Sequence, residues 1–303
     1  MEYALQLENI TKIYGKEKAV DDFSLSIEKG HIYGLIGQNG AGKTTIMKMI
    51  AGLALQDSGN IKIFGDSRNL NEHRGRMSFM LEAPYLEGSM TAYENLQYIR
   101  YVRGVASQDR ISEVLEIMGL TDTGEKIVRG FSLGMRQRLG IGMALLSSPE
   151  IMVLDEPVNG LDPEGIVEIR CILKRLCEEQ GITILISSHL LSELSELCTD
   201  FVIINKGKLI EKLSESELKI RCRNHLTIKT DKIEQTAAVL EKCLNIKEYK
   251  VVHEDEIQLY ERLDDIELVS KTITSNGMII TKFVIEGENL EEYYLSKVGD
   301  INE

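Results

Sequence analysis

The stretch Gly37-Gln38-Asn39-Gly40-Ala41-Gly42-Lys43-Thr44-Thr45 constrains this 303-residue chain more than any other. It follows an apolar run, Ile32 to Ile36, and precedes a helical pattern, Ile46 to Ile50, so it reads as the turn between a buried strand and a helix. Its glycines allow backbone angles that a side chain forbids, and successive N–H groups can then converge on an anion. The spacing is G-x-x-x-x-G-K-[ST]: Lys43 supplies a mobile cation for terminal phosphates, and the Thr44 hydroxyl is the expected magnesium ligand. The alternative is a Gly-rich turn between strand and helix without chemistry. A nucleotide-phosphate site is the better reading.

The bulk numbers narrow the field. A chain that is 43% hydrophobic and 27% charged has an ordinary water-soluble composition and room for one large domain and a smaller one. No apolar stretch approaches the roughly 18 residues that span a bilayer. Met1-Glu2-Tyr3 does not open a signal peptide, so a cytoplasmic chain is expected. A net charge of -13 argues against wrapping a nucleic-acid backbone, and no nucleic-acid partner is expected. The five cysteines are odd in number and without C-x-x-C spacing, which reads as reduced core or surface thiols. His31, His73, His225 and His253 have no paired spacing and read as structural or surface residues.

From Leu5 to Ile10 and again from Phe23 to Ile27, apolar and polar residues alternate with the period of half-buried strands. After the glycine stretch, Asp57-Ser58-Gly59 turns into a short strand, Ile61 to Phe64. Met77 to Leu81 is continuously apolar, as in a sheet covered on both faces. A helical pattern runs from Thr91 to about Leu120, with Glu94 at capping-box spacing from Thr91. With the helix from near Gly134 to Ser147, it forms a helical subdomain of about residues 85–148. Next come an apolar strand at Ile151, a helix from Glu164 to Glu179 stopped by Gly181, and a strand from Ile182 to Ile186. That order describes a parallel, helix-covered sheet with its ligand site at the strand ends. His189 directly follows such a strand and is set apart from the other histidines by that position.

The texture changes after Ser214. Strands at Leu226–Thr230, Tyr249–His253, Ile257–Tyr260 and Met278–Ile285, with helices at 231–244 and 264–276, give the order β-α-β-β-α-β of a ferredoxin-like domain. From Arg221 onward there are 17 acidic and 11 basic residues and no chemical motif, so an appendage without chemistry is the favoured reading.

The run Ile151 to Glu156 supplies what the phosphate loop lacks. Asp155, ending an apolar strand, is placed to hold magnesium through water, and Glu156 beside it to polarise an attacking water. Phe131-Ser132-Leu133-Gly134-Met135-Arg136-Gln137-Arg138, a short way ahead, resembles the signature sequence of ABC-transporter ATPases. The resemblance covers Leu5 to about Leu213. It implies an α/β phosphate-loop NTPase of ABC-ATPase type with an N-terminal antiparallel β subdomain and an inserted helical subdomain. The domains expected are 1–213 for the ATPase and 221–303 for a small accessory α+β domain.

The same resemblance implies ATP and Mg2+ as cofactors, and roles for particular residues. Tyr14 matches the aromatic that stacks on adenine, Asp162 the D-loop aspartate, and His189 the switch histidine at the γ-phosphate. Residues Gly37, Gln38, Asn39, Gly40, Ala41, Gly42, Lys43, Thr44 and Thr45 match the nucleotide cradle. Ser132 can cap the helix beginning near Gly134, whose free N–H groups and dipole suit an anion. In the family this second phosphate site serves the nucleotide of another subunit, which implies a homodimer or a heterodimer with a similar ATPase. It also implies a separate transmembrane permease and a peripheral place on the cytoplasmic face of the membrane.

Phe131, Leu133 and Met135 depart from the usual Leu-Ser-Gly-Gly-Gln, and Met135 lacks an amide with which to bond nucleotide. Glu82 stands where the family usually has the glutamine that links the metal site to the membrane subunit. A carboxylate there could compete for magnesium or pair with a basic group on the partner. These departures, with the Glu82-Ala83-Pro84 turn, resemble the bacterial branch of bacitracin- and lantibiotic-resistance exporters. The alternative is an ABC-type ATPase acting on DNA or ribosomes. DNA-acting relatives carry long coiled-coil insertions, and no sustained heptad run separates the two halves here.

Overall fold

The structure is a computed structural model that describes residues 2–189, 194–287 and 290–299. The chain divides into two compact units, Met1–Glu215 and Ser216–Glu303. Among the described residues, no helix is long and apolar enough to cross a membrane.

The first unit opens with β1 (Tyr3–Tyr14) and β2 (Glu17–Glu28), an antiparallel pair of 12 residues each. Both outrun the alternating segments seen in the sequence, because the register shifts between Leu7 and Ile10 and again between Ile10 and Lys12. Such bulges break the two-residue period while the ladder continues. Asn9 sits there at φ 49°, held by Ser24 Oγ at 2.9 Å and Asp22 Oδ1 at 2.9 Å. β3 (Ile32–Ile36) leaves this sheet for the next one, and β4 (Ser58–Ile63) returns to flank β1, giving the order β2-β1-β4.

The second sheet contains β5 (Met77–Met80), β6 (Ile151–Asp155), β7 (Thr183–Ser188), β8 (Asp200–Asn205) and β9 (Lys208–Ser214), in the order β5-β6-β7-β3-β8-β9. Its pairs are parallel up to β8, and β9 runs antiparallel. Strands β3, β6, β7 and β8 are buried at every residue, as expected for parallel strands covered on both faces. The β8–β9 hairpin, turning at Lys206 and Gly207 (φ 46° and 78°), was not read from the sequence.

The loop after β3 leads into α1 (Lys43–Ala51), whose Ile46, Met47, Met49 and Ile50 are buried. They share a core with Leu5, Leu7, Phe23 and Ile61 of the antiparallel sheet and Val153, Leu185 and Val202 of the parallel one. Fully burying each such side chain is worth about 1.5–3 kcal/mol, so the helix that starts at Lys43 is fixed from both sides.

α2 (Leu70–Arg74) precedes β5. The helical pattern from Thr91 resolves into α3 (Ala92–Arg103) and α4 (Asp109–Ile117) rather than one run. Gly104, at φ 67°, ends α3 by donating its N–H to Arg100 and Tyr101 carbonyls. The capping box at the start of α3 is complete: Glu94 N–H donates to Thr91 Oγ1 at 3.2 Å, and Thr91 N–H to Glu94 Oε2 at 2.8 Å. α5 (Leu133–Leu145) is capped by Ser132, and α6 (Pro163–Gln180) by Asp162 with Pro163 at its first position.

The second unit follows α7 (Glu215–Arg221) with β10 (His225–Thr230), α8 (Ile233–Leu244), β11 (Tyr249–His253), β12 (Glu256–Leu259), α9 (Ile266–Ser275), β13 (Ile280–Glu286) and α10 (Leu290–Gly299). Its antiparallel sheet has the order β11-β12-β10-β13. Leu226, Ile228, Leu240, Ile257, Val269 and Ile273 belong to a core of its own.

Candidate nucleotide site

The loop from Gly37 to Gly42 is shaped by contacts that exclude side chains. A Cβ on Gly37 would lie 2.7 Å from Ile204 O. Gly42 has φ 106°, and a Cβ there would lie 2.5 Å from Ala19 O. Gly207 of the β8–β9 turn donates its N–H to Ala41 O at 2.9 Å, so a hairpin distant in sequence buttresses the loop.

Lys43 is 5% exposed and lies inside the loop it follows. Its Nζ donates to Gly37 O at 2.6 Å and Gln38 O at 3.3 Å, and lies 3.7 Å from Glu156 Oε1. Burial holds its ammonium below the ordinary lysine range, against the opposing attraction of Glu156 and Asp155.

The two acids end β6. Thr44 Oγ1 donates to Asp155 Oδ2 at 2.7 Å, and Ser187 Oγ donates to Asp155 Oδ1. Ser187 stands opposite Asp155 on β7, and its hydroxyl also accepts the Glu156 N–H at 2.9 Å. Glu156 adopts φ 48°, the left-handed region that costs a non-glycine residue energy and is often tolerated at functional sites. Its Oε2 accepts from Asn159 Nδ2 at 3.0 Å and lies 3.1 Å from His189 Nδ1. Thr44 and Asp155 offer the all-oxygen donors that suit magnesium, which binds through one or two carboxylates and retains waters.

The predicted residues fall into distinct cavities. Tyr14, Gln38 to Thr45 and Glu156 line the first. Tyr14 is 52% exposed there, with Lys12 Nζ 5.4 Å from its ring centre. Thr44, Asp155, Glu156 and Glu82 line an adjoining cavity. Ser132, Gly134 and Asp162 line another, together with Gly160, Leu161 and Glu168, and no phosphate-loop residue reaches it.

Glu82 has a partner within its own chain. Its carboxylate takes Lys48 Nζ of its own chain at 2.9 Å. Lys48 lies four residues beyond Thr44 and so shares that face of α1. Sequence reasoning also passed over Ser187 and Asn159. The available signal for Ser187 was a hydroxyl directly following the apolar run Ile184–Ile186 of β7.

A parallel sheet with a phosphate-type loop at the end of a central strand, and paired acids at the end of another, defines a phosphate-loop ATPase. The sequence profile of the family described as ABC transporter matches residues 20–159. The bacitracin transport ATP-binding protein BcrA of Bacillus licheniformis is 39% identical over 301 residues, 99% of this chain and 98% of that protein. The lantibiotic transport ATP-binding protein SrtF of Streptococcus pyogenes is 41% identical over 206 residues, 68% of this chain and 89% of that protein. A nucleotide-free ATP-binding cassette from an ABC transporter superposes with a TM-score of 0.66 at 26% identity, over 73% of this chain and 94% of that one. This chain belongs to the ATP-binding ATPase subunits of ABC transporters. These relatives give no support to the alternative of an ATPase acting on DNA or ribosomes.

Proposed function

We propose that this chain hydrolyses Mg-ATP as one half of a dimer at the cytoplasmic face of the membrane, powering export of a peptide antibiotic through a separate transmembrane permease. Its relatives' names, bacitracin and lantibiotic transport, motivate the cargo class. The observation that carries the dimer is the separation of Ser132, Gly134 and Asp162 from every residue of the phosphate loop. Gly134 adds to it. Glycine is a poor helix former, and Gly134 is the second residue of α5. Yet a Cβ at Gly134 would meet only Leu161 Cδ2, at an ordinary 3.9 Å. Among the described residues nothing needs that position bare, whereas the close approach of a second chain's nucleotide would.

In this reading Tyr14 stacks on the adenine, and Lys43 exchanges the Gly37 carbonyl for a terminal phosphate oxygen. Thr44 and Asp155 would hold the magnesium, which would supply neutralisation of the phosphate charge. Glu156 draws the proton of the attacking water, and His189 with Asn159 fixes the carboxylate that does so. Ser132 and Gly134 of the other copy close over the γ-phosphate. The groove lined by Pro84, Gly88, Val128, Arg129 and Arg136 is the place offered to the permease.

Mixing two inactive chains tests the shared site. Lys43→Ala abolishes the loop half, and Ser132→Glu the capping half. Random mixing should restore on the order of a quarter of the wild-type rate, since half of the dimers carry one intact site of two. No recovery on mixing would reject the shared site. Membranes containing the cognate permease should show ATPase stimulated by a peptide antibiotic, and a flat response across bacitracin and lantibiotics would remove the cargo assignment.

A further inference from the structure

The cavity on the acidic side of the phosphate loop has a volume of about 360 Å3, and its wall includes Thr44, Glu82, Gln137, Asp155, Glu156 and Asn159. Gln137, in the second turn of α5, also lines the neighbouring groove beside Pro84 and Arg136. It is 7% exposed, and its Oε1 has no hydrogen-bond partner among the described residues. A buried acceptor left unpaired destabilises a fold, and a leucine or methionine would fill the position without that cost. The amide therefore calls for a role outside packing.

The surrounding side chains indicate which role. On that wall Glu82 is drawn 2.9 Å onto Lys48. Asn159, the other carboxamide on the wall, donates to Glu156. Gln137 remains, with an oxygen able to accept from water and an NH2 group able to donate to a carboxylate. A carboxylate such as Glu82, when ionised, can only accept.

We propose that Gln137 is a positioning residue that orders water along the Thr44–Asp155–Glu156 wall, so that divalent-cation-dependent nucleotide binding rests on its carboxamide. This inference rests on the magnesium-dependent reading of the site given above.

The test uses the full chain and a fluorescent N-methylanthraniloyl ATP, titrated with and without Mg2+. Gln137→Leu should raise the Mg2+ concentration needed for half-maximal binding by about tenfold, the scale of losing an outer-shell partner. Binding in EDTA should stay unchanged, and Tm should hold or rise because the orphaned acceptor is gone. Adding Glu82→Gln to Gln137→Leu should return the Mg2+ requirement to near the wild-type level. If Gln137→Leu does not fold, Gln137→Met carries the same measurement. An Mg2+ requirement unchanged in the Leu or Met variant overturns the inference, as does a lowered Tm with weakened binding in EDTA. Failure of Glu82→Gln to rescue overturns it too. Wild-type binding indifferent to Mg2+ would instead reject the magnesium reading itself.

Discussion

Glu156 bears the most concentrated set of contacts in the site: Asn159 and His189 on one oxygen, Lys43 toward the other, and Ser187 on its backbone N–H. Glu156→Gln should keep ATP binding and lower turnover by about 10²–10⁴-fold, the usual worth of a positioned base. Single-turnover hydrolysis beside equilibrium binding checks this, and near-normal turnover would remove Glu156 as the base. Ser187→Ala should lower Tm, because it strips a donor from Asp155 and leaves the Glu156 N–H without its acceptor, a loss of about 1–3 kcal/mol. Lys43 gives a pH signature. Burial disfavours its charged form in the folded chain. The cost to stability is therefore full below the folded pKa and is relieved as pH rises toward the ordinary lysine value of about 10.4. A phosphate reverses the preference, so ATP binding should take up protons in alkaline buffer and weaken before ordinary lysines titrate. Calorimetry in buffers of different ionisation enthalpy measures that uptake. Lys43, Thr44, Asp155 and Glu156 were legible because each stands at a fixed offset from a local motif. Ser187 and Asn159 were not, because they act by touching Glu156 or Asp155 across a strand or turn that no spacing announces.

At the scale of elements, local chemistry made some boundaries readable. Thr91 and Glu94 announced the start of α3, and Gly181 the end of α6, at φ 67°. Thr91→Ala should cost about 1 kcal/mol, measured by denaturant unfolding. An unchanged midpoint would mean that the helix start is held by packing alone. The hairpin of β8 and β9 escaped notice although β8 is wholly apolar apart from its ends, Asp200 and Asn205. A short apolar run bounded by unremarkable residues is ambiguous until its neighbours are known. Its role emerges only in three dimensions, where Gly207 supports Ala41 and Ile204 crowds Gly37. The long β1 and β2 were under-read for the opposite reason, since a bulge scrambles the alternation by which strands are recognised.

For the molecule as a whole, the separate cores of the two units suggest that the accessory unit is dispensable for nucleotide binding. A chain ending at Glu215 should fold and bind ATP with near-full affinity, followed by thermal shift with added nucleotide. Loss of a cooperative transition on truncation would make the second unit part of the folding unit. The phosphate loop also sits between two sheets that one core joins, with its lysine already bonded to Gly37 O. A loop so tethered has little chain entropy left to surrender. In the proposed cycle ATP arrival would exchange one lysine acceptor for another within that tethered loop. Its association should be fast and nearly insensitive to solvent viscosity beyond diffusion, and the slow motions of the cycle should lie in the approach of the second chain.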